Sequence, residues 1–419
     1  MLVPYDEKDL AKEQGMDFDR GGKCWYLPPG RDPLPSRKYW SFLEKTYEDR
    51  DKLKRMGCRF NAKLKKWYVP KNLDFDNFIK WWPEDLRQFV FMKKYAVQER
   101  LNETGQANVY KARNVEKNSL FAIKIFKNQS ENFSITNQKN AANAEIKALE
   151  KLGKHPNILE LEAVEYREET DEVVLISRWI PGGDLSPLIG VSEEQQLRNI
   201  YKAMTRSLIA PESKDDEDAE IEEILEEFKT KQRDTWLDDA DLLIGILKGL
   251  QYAHRHGIYH RDLKPANVLL DFDYEAEDSD VIPVLCDFGA AKIRDEIGNR
   301  GLTDPKYTLV GVRTEGYRWD FGLDSKEGQK ERENQHTWDL VSWAVLAVEI
   351  LANEKVDSPT EAVQILNEKL SQDIEPEIFE LLERAISKNT DERPQEIDKF
   401  VAQIVDLTER RKQKLNWDV

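Results

Sequence analysis

The stretch that decides the fold is His260-Arg261-Asp262-Leu263-Lys264-Pro265-Ala266-Asn267-Val268-Leu269-Leu270. A carboxylate, a lysine two residues on and an amide three further, all ahead of an apolar strand, make a compact polar loop on a buried support. Such a loop needs chemical partners from elsewhere in the chain. Asp287-Phe288-Gly289 follows the strand-like Val281 to Cys286, and Phe121-Ala122-Ile123-Lys124 lies upstream in a β-branched and aromatic strand pattern. A lone lysine in such a strand is ordinarily the solvent-facing residue of an alternation. The helix-like Ala144 to Leu152, with Glu145 near its start, gives Lys124 a second meaning.

In this order and register the set resembles the protein kinases, with a catalytic loop, a metal-binding Asp-Phe-Gly and a strand lysine. The resemblance runs from about Tyr95 to Gln413 and includes Gly153 and His155-Pro156-Asn157-Ile158 after the helix. It implies an α+β, bilobal fold with a β-rich N-lobe and a helical C-lobe. It also implies roles, which are few because phosphoryl transfer asks a protein mainly to position two reactants and offset charge. Asp262 would accept or orient the proton of the attacking hydroxyl, and Lys264 would stabilise the γ-phosphate of ATP. Asn267 and Asp287 would hold Mg²⁺ as hard oxygen ligands. Lys124, held by Glu145, would contact the α- and β-phosphates. Val109, fifteen residues before Lys124, and Ala122 would line the nucleotide site. Ser177 would be the gatekeeper, and the backbone of Arg178 and Ile180 would hold the adenine. Lys264-Pro265 resembles the serine/threonine branch, so a protein hydroxyl is the expected acceptor.

After Gly289 the chain carries Thr303, Tyr307, Thr308 and Thr314. Arg261 occupies the position that in this family usually answers to a phosphate on that segment, which makes Thr308 or Tyr307 the expected autophosphorylation site. Asp339, in Asp339-Leu340-Val341-Ser342-Trp343-Ala344, matches the buried aspartate that anchors the catalytic loop. There are two departures. Asn102, Thr104 and Ala107 stand where glycines would let backbone amides approach phosphate. Trp319-Asp320-Phe321 replaces Ala-Pro-Glu, removing the glutamate that would pair with Arg393, and Asp320 is the substitute at hand. Both departures motivate a second reading, a pseudokinase or signalling scaffold.

The composition of the 419 residues, 40% hydrophobic and 34% charged, is that of a soluble globular chain long enough for two or three domains. It has no unbroken apolar run of the roughly 18 residues that a membrane span needs. The N-terminus turns polar at Asp6, so no secretory signal is expected, and Cys24, Cys58 and Cys286 are too few and scattered for a disulfide framework or zinc site. A cytoplasmic location follows. The net charge of −17 is unevenly spread: residues 1–90 hold 19 Lys and Arg against 15 Asp and Glu, a net +4, leaving −21 for the rest. An acidic body disfavours general nucleic-acid binding, and the N-terminal segment escapes that objection.

That segment is a repeat. Tyr5, Asp9, Gly15, Phe18, Asp19, Lys23, Trp25-Tyr26 and Pro28 recur 42 residues later as Tyr47, Asp51, Gly57, Phe60, Asn61, Lys65, Trp67-Tyr68 and Pro70. Each unit reads as a short helix stopped by a glycine and followed by a hairpin closing on Trp-Tyr. The pair resembles a short bacterial domain of unclear role with a W-Y-V-P signature, which points to a bacterial source. Its tryptophans and the basic run from Lys52 to Lys66 suit either two small cores with a solvated face, or contact with nucleic acid or a partner protein. A kinase-like enzyme acting on a nucleic-acid-bound substrate is therefore a third reading. The expected organisation is 1–43 and 44–87 for the two modules, 88–180 for the N-lobe and 181–415 for the C-lobe. The C-lobe holds an acidic insertion at about 190–236, with Lys214 to Glu220 and an amphipathic Ile221 to Phe228.

Overall fold

Both repeats fold in the same way. Helix α1 (Lys8–Glu13) is followed by Gly15 at φ +78°, then β1 (Asp17–Asp19) pairs antiparallel with β2 (Cys24–Tyr26). The second copy has α2 (Arg50–Arg55), Gly57 at φ +90°, and β3 (Arg59–Asn61) paired with β4 (Lys66–Tyr68). A Cβ at 57 would also stand 2.9 Å from Leu73 Cδ1, so that side chain would have to shift. Leu43, Leu53, Cys58, Val69, Phe78 and Trp81 form the core of the second module, and burial pushes the Cys58 thiol up to about 11. Asp49 closes it by accepting the Trp81 indole N–H at 2.9 Å and the Lys80 ammonium at 2.7 Å.

The computed structural model describes residues 8–19, 24–27, 40–62, 64–70, 73–83, 86, 89–103, 107–126, 135–167, 172–192, 194–196, 198–200, 234–272, 281–293, 316–319, 327, 330 and 334–415. They form two compact units, Met1–Gln138 with Glu162–Trp179, and Lys139–Leu161 with Ile180–Val419.

The module boundary differs from the expected 43/44. Leu43 N–H donates to Trp67 O, Val69 N–H donates to Ser41 O, and Phe42 bridges Tyr68. Residues 41–43 thus extend the second hairpin, and that module starts near residue 40.

Beyond the modules the first unit is a six-stranded sheet in the order β5-β6-β7-β8-β10-β9. Its strands are β5 (Val90–Phe91), β6 (Tyr95–Glu103), β7 (Ala107–Asn114), β8 (Ser119–Phe126), β9 (Leu161–Arg167) and β10 (Glu172–Arg178). One face buries Tyr95, Val97, Tyr110, Phe121, Ile123, Val174 and Ile176. The second module is welded to this sheet. Trp82 stacks on Phe75 with ring centroids 5.4 Å apart and shares a cluster with Leu86 and Ala96, while Asp74 pairs with Arg113 and Gln98 donates to Asp76 at 3.3 Å.

Helix α3 (Ile135–Leu152) begins inside the Asn128–Asn140 stretch that its Asn, Gln and Ser content marks as a loop. Buried Ala142, Ile146 and Leu149, at helical spacing, supply the apolar stripe that overrides those weak propensities. From Lys139 the helix belongs to the second unit rather than with the sheet that precedes it in the 88–180 segment.

The second unit is built on α4 (Leu237–Arg255). Asp234 accepts the N–H groups of Trp236 and Leu237, and it also pairs with Arg411. Trp236 is fully buried and donates to Thr408 Oγ1 at 2.9 Å. Residues 234–236, at the end of the expected insertion, are therefore anchors. At its other end Gln196 and Asn199 donate to Leu188 O and Pro187 O. The acidic run from Lys214 to Glu220 and the segment Ile221 to Phe228 lie outside the described residues. After α4 come β11 (Ile258–Tyr259), the hairpin β12 (Val268–Phe272) with β13 (Val281–Leu285), and β14 (Lys292–Ile293). Helices α5 (Trp338–Ala352), α6 (Pro359–Ile365), α7 (Pro376–Ile386) and α8 (Ile397–Leu415) complete it.

Candidate active site

The sequence-predicted residues divide between the two units. In the first, strand register decides which side chains share a face. Val109 lies opposite Lys124, which lies opposite Leu175; one rung along, Lys111 faces Ala122 and Ala122 faces Ser177. Residues two apart in a strand point the same way, so all six share the face opposite the Phe121–Ile123 core. Ser177 is buried, and the Lys124 ammonium stands 5.0 Å from the Phe126 ring centroid. Arg178 ends β10 opposite Phe121. Lys111 escaped the sequence reading. It is only 8% exposed, its ammonium lies 5.1 Å from the Trp179 ring centroid, and Glu99 is 3.8 Å away. The alternation that hides Lys124 hides Lys111 as well, and no motif marks it.

In the second unit His256 caps the C-terminus of α4, and Gly257 at φ +69° turns the chain into β11 and then the loop. Asp339, at the start of α5, holds that loop by its backbone. Its Oδ2 accepts the His260 N–H at 2.8 Å, its Oδ1 accepts the Arg261 N–H at 2.7 Å, and His254 Nε2 lies 2.7 Å from Oδ2. Burial opposes ionisation of Asp339, but the hydrogen bond and charge of His254, with help from His260 and the Arg261 N–H, keep its carboxyl below the usual range. His254 was not singled out from the sequence, because its partner lies 85 residues away.

The loop brings the polar groups together. Lys264 Nζ is 3.0 Å from Asp262 Oδ2, and Asn267 Nδ2 donates to Asp262 O at 2.6 Å and to its Oδ2 at 3.1 Å. Cys286 N–H donates to Asn267 O at 3.0 Å, tying the loop to the residue before Asp287. Asp287 sits in the left-handed region at φ 62°, ψ 64°, a placement that costs a non-glycine residue about 1–3 kcal/mol and gathers at functional sites. Phe288 beneath it is fully buried, with its ring 4.6 Å from that of His260. Glu145, on α3, is 2% exposed, unusual burial for a carboxylate. Ile180 is buried against Leu159 and Val284.

The donor set suits Mg²⁺. Asn267 uses its amide nitrogen on Asp262, which orients its oxygen as the acceptor, and Asp287 would be the carboxylate ligand beside it. Among the described residues no group of three or more His, Cys, Asp or Glu is arranged to hold a metal ion. A cation that keeps waters and shares substrate phosphates needs only such a sparse set.

Arg261, at φ +67°, lies over the Trp338 ring at 5.1 Å, with Arg318 over the same ring at 4.8 Å. Burial and the charge of Arg318 pull the Arg261 guanidinium down to about 10. Its Nε is buried with no hydrogen-bond partner among the described residues. Arg393 is buried, donating to Ser387 O and Thr337 Oγ1. Thr303, Tyr307, Thr308, Thr314, Asp320 and residues 104–106 lie outside the described residues.

The chain belongs to the protein kinase family: the protein kinase domain matches residues 95–210 and 217–414. A domain of unknown function (DUF5710) matches twice, over 1–41 and 40–83. Relatives include serine/threonine-protein kinase PkaA of Streptomyces coelicolor, 30% identical over 37% of this chain and 27% of that protein. Another, serine/threonine-protein kinase STY17 of Arabidopsis thaliana, is 28% identical over 36% of this chain and 24% of its own length. The chain spans about a quarter or less of the length of these curated relatives. Among the described residues no helix is long and apolar enough to cross a membrane.

Proposed function

We propose that this chain is a serine/threonine protein kinase that transfers the γ-phosphate of ATP to protein hydroxyls. The observation that carries the reading is Asp262, bracketed by Lys264 and Asn267 on a loop that Asp339 holds by its backbone. Asp262 Oδ2 accepts or orients the hydroxyl proton. Lys264, already within ion-pair distance, offsets charge on the transferring group. Lys124, with Glu145 as its partner, serves the α- and β-phosphates; Val109, Ala122 and Ser177 line the nucleotide site, with the backbone of Arg178 and Ile180 on the adenine. Asn267 and Asp287 would hold Mg²⁺, which would supply charge neutralisation at the phosphates. The serine/threonine kinases among the relatives support the acceptor class.

The unpartnered Nε of Arg261 supports a phosphate on Thr308 or Tyr307, added by the chain itself. A cytoplasmic location and a bacterial source, the latter in keeping with the Streptomyces relatives, complete the proposal. The test is incubation of the purified chain with Mg²⁺ and γ-labelled ATP, beside Asp262→Ala and Lys124→Ala. Label on the chain or a generic serine/threonine substrate, reduced by about 100-fold or more in both variants, is expected. No label from a protein that measurably binds ATP would replace this reading with the scaffold.

A further inference from the structure

The second N-terminal module carries an open hollow of about 500 Å³ that the catalytic apparatus does not use. Arg50 and Lys54 stand one turn apart on α2, and Arg59 begins β3. Between them lies the cross-strand pair Phe60–Trp67, ring centroids 5.7 Å apart at 57°. Phe60 is 52% exposed although the module's core is complete without it. Tyr47, beneath the Arg50 guanidinium at 5.8 Å, is 83% exposed. Arg50, Lys54 and Arg59 form no ion pair with another described residue, while the acidic Asp51 also borders the hollow.

The first module is an internal control. It has the same pair, Phe18–Trp25, at 5.4 Å and 59°, with Phe18 47% exposed. From Asp6 to Tyr26, however, four Lys and Arg meet six Asp and Glu, net −2. The matching stretch Glu48 to Tyr68 has eight against three, net +5. The excess of cationic residues thus lies in the module that carries Phe60–Trp67.

We propose that the second module binds single-stranded nucleic acid, stacking a base on the Phe60–Trp67 pair and setting the adjoining phosphates against Arg50, Lys54 and Arg59. Aromatic faces beside cations are the chemistry of an unstacked strand; a duplex hides its base faces. The hollow falls in the size range of small-ligand sites, about 300–1,000 Å³. The net −21 beyond residue 90 repels a polyanion and confines the footprint to a few nucleotides. This inference stands apart from the kinase reading.

The test is fluorescence anisotropy of the full chain with a short fluorescein-labelled oligothymidylate across a salt series. Binding should weaken with salt at a log–log slope near −2, since each neutralised phosphate of a single strand contributes about 0.7. Lys54→Gln should flatten the slope by about 0.7. Phe60→Ala should weaken binding about 5- to 150-fold, the span of one base stack. Phe18→Ala should change nothing. The proposal is overturned by absence of binding, by equal losses from Phe18→Ala and Phe60→Ala, or by displacement of the oligonucleotide with polyglutamate at matched charge, which would mark a general polyanion site. If circular dichroism shows Phe60→Ala unfolded, the exposed Lys54→Gln decides alone.

Discussion

The Asp339 carboxylate accepts the Arg261 N–H at 2.7 Å and so pins a non-glycine residue at φ +67° directly ahead of Asp262. The same carboxylate takes the His260 N–H, so two consecutive peptides of the loop hang from one side chain. The position of Asp262 is therefore set by a helix far away in sequence.

Asp339→Asn should expose that dependence. It keeps the shape but replaces one acceptor by a donor facing an N–H, and breaking a buried charged network costs about 3–5 kcal/mol. Label transfer should fall by about 100-fold or more. The folded-state pKa of Asp339 is depressed, so its contribution to stability is complete above the ordinary value of 3.8 and is lost as pH falls below it. Urea midpoints measured between roughly pH 3 and 6 should drop with acid more steeply in the parent than in the variant. Parallel acid limbs would refute this account.

Gly249→Ala runs against helix propensity. On α4 a Cβ at 249 would stand 2.8 Å from the Asn157 backbone oxygen and 2.9 Å from Leu285 Cδ1, and one at Gly245 would stand 2.5 Å from Pro283 Cγ. These glycines let the β12–β13 hairpin, which leads to Asp287, lie close against the helix. Although alanine favours a helix by about 1 kcal/mol over glycine, overpacking costs about 1–3 kcal/mol, and a net loss is expected in thermal unfolding. A gain in midpoint would show that the hairpin yields.

Gly289→Ala tests the proposed metal-binding role of Asp287. Its Cβ would lie 3.2 Å from Asp287 Oδ1, so the carboxylate must turn by a few tenths of an ångström. The Mg²⁺ concentration for half-maximal labelling should rise about tenfold, since shifts this small around a reacting centre are felt strongly. Unfolding should stay near that of the parent. An unchanged Mg²⁺ requirement would separate Asp287 from the metal.

Tyr317→Phe removes a buried donor. Tyr317 Oη donates to Glu349 Oε2, and the Val356 N–H serves the other oxygen at 2.9 Å. Burial raises the Glu349 carboxyl above its usual range, with the Tyr317 hydrogen bond opposing that rise. Loss of the donor leaves a desolvated carboxylate, costing about 1–3 kcal/mol. The raised folded pKa means that protonation favours the native state, so the penalty should be smaller near the ordinary value of 4.5 than at about pH 7. Equal penalties at both pH values would argue that Glu349 stays ionised throughout.

The kinase fold was legible because Asp262, Asn267, Asp287 and Asp339 fall in register, and phosphoryl transfer leaves little freedom in their spacing. The repeats were legible from glycine and tryptophan period alone. What escaped depends on distant partners. Ile135 starts a helix in an Asn- and Gln-rich stretch because Ala142, Ile146 and Leu149 bury one side of it. Asp234 and Trp236 look like the tail of a polar insertion until Arg411 and Thr408 arrive from the last helix. Lys111 carries no motif; only strand register places it on the face of Lys124.

The packing of Trp82 and Leu86 against Ala96, with Asp74 on Arg113, decides where this chain can be cut. A fragment begun at residue 88, where sequence pattern alone would start the kinase, would strip the sheet of a fully buried tryptophan and leave Arg113 without Asp74, inviting aggregation rather than activity. A fragment begun at residue 40 keeps the hairpin strand at Ser41 to Leu43 and the whole second module. For expression, crystallisation or grafting, a piece of this chain that carries the sheet therefore includes the second repeat.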